Sequence, residues 1–315
     1  MQEANINNPN DFDDAIDLLE LFNIILKEKW TIINVTSFIS IISVIYSLLL
    51  PNIYESRSLL VPVKVSSGIS AAIKNYSGLA GLAGINLPSG VDEGNAAQAI
   101  EKITSLSFFE NNILPNIYLP DLMAVKAWDP ETNNLVYDET IYDDKSGAWV
   151  RDYSYPQQKI PSAQESFEVF TEQHLKLIEG KKSEFITLSI QHQSPYIARQ
   201  WVELTVNEIN NFYRQKDKLE SEKAVSYLDQ QISITGFSEI KDALAQVVQE
   251  EVKKLALIEA NEFYVFEYID PPAVMEKKTK PKRALICILS AILGGMLGIF
   301  IVLIRHYFLK KNSRT

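Results

Sequence analysis

Two stretches of 21 residues contain no charged side chain, and they stand near opposite ends of the sequence: Trp30–Leu50 and Ala284–Ile304. A helix rises about 1.5 Å per residue, so roughly 20 residues cross the hydrocarbon core of a bilayer. Both stretches have that length, and a buried core helix seldom runs so far without a charge. The first is the more polar, with Thr31, Asn34, Thr36, Ser37, Ser40, Ser43 and Ser47. The pair predicts transmembrane helices at 30–50 and 284–304, enclosing a water-soluble domain at 51–283 on one side of the membrane. Residues 1–29 and 305–315 then share the other side. The segment ahead of the first span opens acidic, with Asp11, Asp13, Asp14, Asp17 and Glu20. A cleavable signal peptide opens basic, so this span reads as an uncleaved anchor.

Charge narrows the partners. Residues 51–276 hold 33 acidic and 19 basic side chains, a balance of −14. Such a domain does not attract nucleic acid. Residues 277–283 reverse the sign, with Lys277, Lys278, Lys280, Lys282 and Arg283 and no acid. A basic cluster abutting a span suits lipid phosphates, or simply fixes the height of the helix. The positive-inside rule is ambiguous, since this cluster opposes Lys27, Lys29, Arg305, Lys310, Lys311 and Arg314; because the rule loses force across a long loop, the balance leans modestly towards both termini inside. Cys287 is the only cysteine, so no intrachain disulfide forms and a multi-cysteine zinc site is excluded. His174, His192 and His306 lack metal-ligand spacing and read as ordinary surface or strand residues. No cofactor site is expected. The glycine-rich stretch 68–94 lacks the Gly-Lys-Ser/Thr ending of a phosphate loop, and Gly180-Lys181-Lys182-Ser183 lacks the earlier glycine.

Periodicity outlines the domain as α+β. Asp13 or Asp14 caps an interfacial helix with Ile16, Leu18, Leu19, Leu21, Phe22, Ile24, Ile25 and Leu26 on its apolar face. Tyr54–Val65 alternates as a strand with Leu59, Val61, Val63 and Val65 on one face. Residues 96–110 read as helix. Residues 115–161 read as turns with short strands near Leu135–Tyr137 and Trp149–Val150. Ser162 and Glu165 form a capping box for a helix carrying Phe167, Phe170, Leu177 and Ile178, stopped by Gly180. Phe185–His192 is a strand with Ile186, Leu188 and Ile190 inward. Ser194-Pro195 opens a helix that meets no Gly or Pro before Gly236, on the order of 60 Å long. A helix at 239–262 and a strand at 263–269 follow, ended by Pro271-Pro272. An α/β base with long projecting helices results. The long helix carries Trp201, Phe212, Tyr213 and Tyr227. It also mixes Arg214, Lys216, Asp217, Lys218, Glu220, Glu222 and Lys223. That combination predicts lateral contacts between identical copies, with pairing to the 239–262 helix as the other way to cover it.

The second span repeats small residues, with Ser290, Gly294 and Gly298 in one row and Ala291 and Gly295 beside it. Thr36, Ser40, Ser43 and Ser47 make a matching stripe on the first. Small residues at this spacing let helices approach closely in lipid, so the face packs on the first span or on another protein.

Three segments carry a resemblance to a known family. They are Ile16-Asp17-Leu18, then Ser189-Ile190-Gln191-His192-Gln193-Ser194-Pro195, and the run from Pro271 to Ile286. Together they resemble the Wzz-type chain length determinants, the first class of polysaccharide co-polymerases, along essentially the whole chain. Pro272, Pro281, Lys282 and Gly294 match the family's proline-rich pattern, beside Pro271. Met275 and Lys280 depart from it, where a proline and a serine are usual. The resemblance implies a bacterial inner-membrane protein with a periplasmic domain and both termini cytoplasmic. It implies a homo-oligomeric ring that works with a polysaccharide polymerase on a lipid-linked glycan. It implies regulation of the length of O-antigen in lipopolysaccharide biosynthesis, or of a related glycan, without catalysis. A related class carries a cytoplasmic tyrosine kinase. With 11 residues after the second span and no Walker motif, that activity is not expected here. The alternative function is a membrane-anchored adaptor of a polysaccharide export apparatus.

Overall fold

The computed structural model describes residues 18–63, 94–180 and 184–312. The expected cap at Asp13 or Asp14, the glycine-rich stretch up to residue 93, and Lys181-Lys182-Ser183 lie outside them. In chain order the elements are α1 (Leu18–Lys27), α2 (Lys29–Leu49), β1 (Tyr54–Pro62), α3 (Gly94–Ile103) and α4 (Leu119–Met123). Four short strands follow α4: β2 (Val125–Asp129), β3 (Asn134–Tyr137), β4 (Tyr142–Asp143) and β5 (Ala148–Trp149). Then come α5 (Ala163–Val169), β6 (Leu175–Glu179), β7 (Ile186–His192), α6 (Pro195–Ile234), α7 (Ser238–Ala260), β8 (Phe266–Asp270) and α8 (Arg283–Asn312). The chain divides into two compact units, one of residues 1–51 with 280–315, the other Asn52–Thr279.

In the second unit β6, β7, β1 and β8 form an antiparallel sheet in that order. β1 is the hub. Tyr54 pairs with His192 and Leu60 with Ile186 on one side, while Leu60 pairs with Tyr268 on the other. The buried face of β1 is Ser56, Ser58 and Leu60, with Leu59 and Val61 only half-buried. Hydropathy points to the opposite face, because two of the three inward positions are serines. Their small size suits a crowded sheet. Ser56 Oγ donates to Ala273 O at 2.8 Å, so its burial carries no unmet hydrogen bond.

The segment 162–180 is the largest departure from the periodicity. Ser162 does cap a helix, accepting from the Glu165 amide at 3.2 Å. That helix lasts only to Val169, a wide turn Phe170–His174 follows, and Leu175–Glu179 is a strand. Leu177 pairs with Leu188 in a hairpin with β7. Leu175 and Leu177 fit a period of two as well as a helix, and the ladder decides. The 96–110 helix is likewise broken after Ile103, where Ser105 caps a new turn. The last strand begins at Phe266, three residues later than the hydropathy suggests.

The 40-residue helix α6 starts at Pro195, though the Ser194 side chain makes no cap bond. At about 1.5 Å per residue it is roughly 60 Å long. Its first half crosses the sheet. Trp201, Val202, Val206, Ile209 and Tyr213 join Leu188, Ile190, Phe108, Phe170 and Phe266 in one core. Trp201 and Tyr213 are therefore buried within the subunit and are not rod-surface groups. Its second half pairs with α7, burying Leu228 and Leu244.

Candidate functional site

In the first unit α2 and α8 lie against each other. The approach is so close that a Cβ on Gly294 would stand 3.2 Å from Thr36 Cα, and one on Gly298 3.1 Å from Ile32 Cα. Only glycine permits that spacing without movement. The pairs Ile32–Gly298, Thr36–Gly294 and Ser47–Arg283 define an antiparallel register that brings Ser40 level with Ser290. The hydroxyls of this seam do not form a ladder across it. Thr36 Oγ1 donates to Ile32 O at 2.8 Å and Ser290 Oγ to Cys287 O at 3.0 Å, each within its own helix. Ser43 and Ser47 are buried, and their hydroxyl oxygens have no partner among the described residues. Size, not hydrogen bonding, is what these positions contribute. Both helices are long and apolar enough to cross a membrane.

The proline-rich segment returns beside the start of β1. Ala273 O accepts from Ser56, the Thr279 amide donates to Ile53 O at 2.8 Å, and Lys278 Nζ donates to Asn52 Oδ1 at 2.9 Å. Pro272 is buried, while Pro271, Lys277, Lys278, Lys280 and Lys282 are exposed and Pro281 is half-buried. Arg283 donates to Ser47 O at 3.2 Å and is drawn into the seam, leaving the lysines as the outward charges.

A buried polar cluster went unseen in the sequence. His174 and His192 are both inside the domain, their rings stacked at 5.6 Å and each edge-on to Trp201. The Ser194 amide donates to His192 Nδ1 at 2.9 Å, so Nε2 carries the proton and donates to Asp121 O at 3.0 Å. Burial, reinforced by the neighbouring His174, pushes His192 down to about 3. Burial lowers His174 too. Burial also raises the Asp121 carboxyl, although the Tyr137 hydroxyl donates to it at 2.6 Å. On α6, Asn210 Oδ1 accepts from the amides of Val265 at 2.7 Å and Phe266 at 2.9 Å, and its Nδ2 donates to Phe266 O at 3.0 Å. One turn-pair on, Asp217 accepts from the Tyr264 hydroxyl at 2.5 Å. A legible signal existed: Asn210 and Asp217 fall on the apolar stripe of Val202, Val206 and Tyr213, where a polar residue must have a partner. Among the described residues no three His, Cys, Asp or Glu side chains gather as metal ligands.

Comparison with known proteins adds two partial family matches. Residues 14–113 match the Wzz family, described as chain length determinant protein, and residues 239–307 match GNVR, a G-rich domain on putative tyrosine kinase. A full-length bacterial polysaccharide co-polymerase is similar at 17% identity and TM-score 0.43, covering 94% of this chain and all of its own. A fragment of WzzB, a polysaccharide co-polymerase from Salmonella Typhimurium, is similar at 13% identity and TM-score 0.32, covering 73% of this chain and all of its own. No curated protein matches the sequence. The two sequence matches lie one at each end of the chain, and each contains an apolar helix. The chain thus matches a Wzz chain length determinant domain near its start and a GNVR domain towards its end.

Proposed function

We propose that this protein regulates the chain length of O-antigen or a related surface polysaccharide, as a non-catalytic co-polymerase. The observation that carries the reading is the order of parts: a Wzz match spanning the first apolar helix, one α+β domain, and a GNVR match running into the second. Residues 51–283 face the periplasm of a bacterial inner membrane, and the two ends, 1–29 and 305–315, face the cytoplasm. Copies assemble as a ring beside the polysaccharide polymerase, on a lipid-linked glycan. Lys277, Lys278, Lys280 and Lys282 meet phosphate at the membrane surface, and the Gly294–Gly298 seam holds the two spans in register.

Deleting the gene and displaying surface polysaccharide on a gel tests it. The expected result is a loss of the preferred length with polymer still made. Complementation with Gly298→Leu, or with Lys277, Lys278 and Lys280 all changed to Gln, shifts the length distribution while the protein remains inserted. An unchanged ladder after deletion removes the reading. The second reading is a membrane-anchored adaptor of a polysaccharide export apparatus. There the deletion abolishes surface polymer instead of changing its length.

A further inference from the structure

We propose that the loop at 151–161 is a contact site for the polysaccharide itself, with Tyr153 and Tyr155 as the rings that stack on sugar. This deepens the chain-length reading and rests on it. The loop springs from a small lobe whose own core is Ala124, Tyr142 and Trp149, separate from the main one. Its first residues are fixed to that lobe, since the amides of Val150 and Arg151 both donate to Ile141 O, at 2.9 and 3.2 Å. Arg151 then clamps the far end. Its Nε donates to Lys159 O at 3.1 Å and its Nη2 to Gln158 O at 2.6 Å. The same guanidinium grips Glu165 of α5 with both of its terminal nitrogens. At the tip the Gln157 amide donates to Ser154 O at 2.8 Å, closing a turn around Pro156.

The product of this fixing is a pair of aromatic rings held out in water: Tyr153 is 55% exposed and Tyr155 is 97% exposed. A ring that exposed contributes almost nothing to the fold. A stiff loop that presents it lowers the ordering cost of binding something else. The chemistry around the rings narrows the occupant. Arg151 and Glu165 neutralise each other. On the neighbouring turns Asp129, Asp138 and Asp143 are each occupied by a backbone amide and a Ser or Thr hydroxyl, while Glu131, Glu139 and Asp144 beside them are exposed. On the exposed loop remain two phenols, Ser154, Gln157 and Gln158, with Asp152 and Lys159 of opposite sign. Flat rings for the C–H face of a pyranose, flanked by neutral amides and hydroxyls for its hydroxyl groups, are the equipment for an uncharged or weakly charged glycan. An anionic polymer would meet a domain of charge −14 over residues 51–276. A protein partner needs about 20–30 residues a side, more than this tip offers.

The test uses the full chain in lipid nanodiscs and, as probe, the polysaccharide released from the producing cell by mild acid. Tyr155→Ala should weaken binding about tenfold, and Tyr153→Ala with Tyr155→Ala further still, while Tyr155→Phe keeps it. Thermal unfolding and particle mass should be unchanged in all three. Binding unaltered by the double variant overturns the proposal. So does a double variant that lowers particle mass, because the loop would then be a contact between copies. The gel ladder of the deletion strain separates the two ideas. If the native gene restores length control and the double variant does so equally well, the loop proposal fails alone. If the native gene changes nothing, the chain-length reading fails first.

Discussion

The two halves of α6 are one uninterrupted helix under opposite conditions. From Pro195 to Tyr213 the helix lies on the sheet, and Ala198, Trp201, Val202, Val206, Ile209 and Tyr213 are buried. Its one buried amide, Asn210, is saturated by the backbone entering β8. From Arg214 to Ile234 the helix leaves the sheet and packs on α7 and, at its start, on the residues 261–264 that follow it. Several charges that read as equipment for neighbouring copies are spent inside this hairpin. Arg214 donates to the carbonyls of Asn261 and Glu262, Lys218 pairs with Glu259 at 2.5 Å, and Asp217 holds Tyr264. Among exposed charges such as Glu222, Lys223, Asp229 and Lys241, the distal part also turns large apolar side chains outward: Leu219, Tyr227, Ile234, Phe237, Ile240 and Val252. The base half is specified within the chain, and the distal half leaves large apolar side chains that the chain's described residues do not cover.

The largest test of that contrast is Asn210→Ala. It strips partners from the amides of Val265 and Phe266 and from Phe266 O inside a packed core. Each orphaned group costs about 1–3 kcal/mol, so a loss of roughly 3–5 kcal/mol is expected. Thermal unfolding in detergent followed by circular dichroism measures it. A loss below 1 kcal/mol would mean that the base is not anchored through this residue.

Tyr264→Phe probes the point where base hands over to hairpin. The buried Asp217 loses its phenolic donor, at a cost of about 1–3 kcal/mol. Removing the stranded carboxylate as well, with Asp217→Leu in the same chain, should recover part of the loss. If the double variant is no better than the single, the phenol was not what Asp217 depended on.

How much of this was legible follows the same division. The start of α6 was readable because Ser194-Pro195 is local chemistry, and its length because no Gly or Pro interrupts it. The two spans and the Gly294–Gly298 row were readable for the same reason. The buried face of β1 was not, since Ser56 and Ser58 are inward only because the Ala273 carbonyl and a close-packed sheet suit them. Leu175–Glu179 was misread as helix because its assignment depends on a ladder partner in β7. His174 and His192 looked ordinary because their burial comes from Trp201, Asp121 and Gln191, which are remote in sequence from at least one of them. The sequence-predicted site residues were found along the chain, whereas Asn210, Asp217 and the exposed Tyr155 acquire meaning only from what surrounds them.

Between pH 6.5 and 5, acid should act chiefly on the base half. His192 titrates near 6.5 when unfolded and is lowered to about 3 when folded. Between those values the unfolded chain binds the extra proton, so stability is whole above 6.5 and falls as pH drops below it. The expected slope is about 1.4 kcal/mol per pH unit from this residue, with His174 adding in the same direction. Asp121 works the other way, because its raised carboxyl takes up a proton in the folded state first, but only in the carboxylate range. His192→Asn should flatten the fall in stability between pH 6.5 and 5. An equally steep fall in that variant would assign the acid sensitivity elsewhere.

The smallest effect on subunit stability is the most telling about the distal half. Ile234 and Phe237 are 69% and 71% exposed, at the turn between α6 and α7, and Tyr227 is 62% exposed a little before them. Changing Ile234 and Phe237 together to Ser removes no contact on which the subunit's core depends, so its unfolding should shift by no more than about 0.5 kcal/mol. If those side chains are covered by neighbouring copies, the same change exposes a seam that is apolar only in the assembly. The particle mass in mild detergent should then fall, or its dissociation on dilution should begin at higher concentration. Asn210→Ala should show the reverse pattern, a weakened subunit whose folded fraction still assembles. If the Ile234 and Phe237 variant unfolds early yet keeps its mass, the distal half is completed by α7 alone and the contrast between the two halves disappears. If mass falls while unfolding holds, the apolar end of α6 is a surface made for another copy.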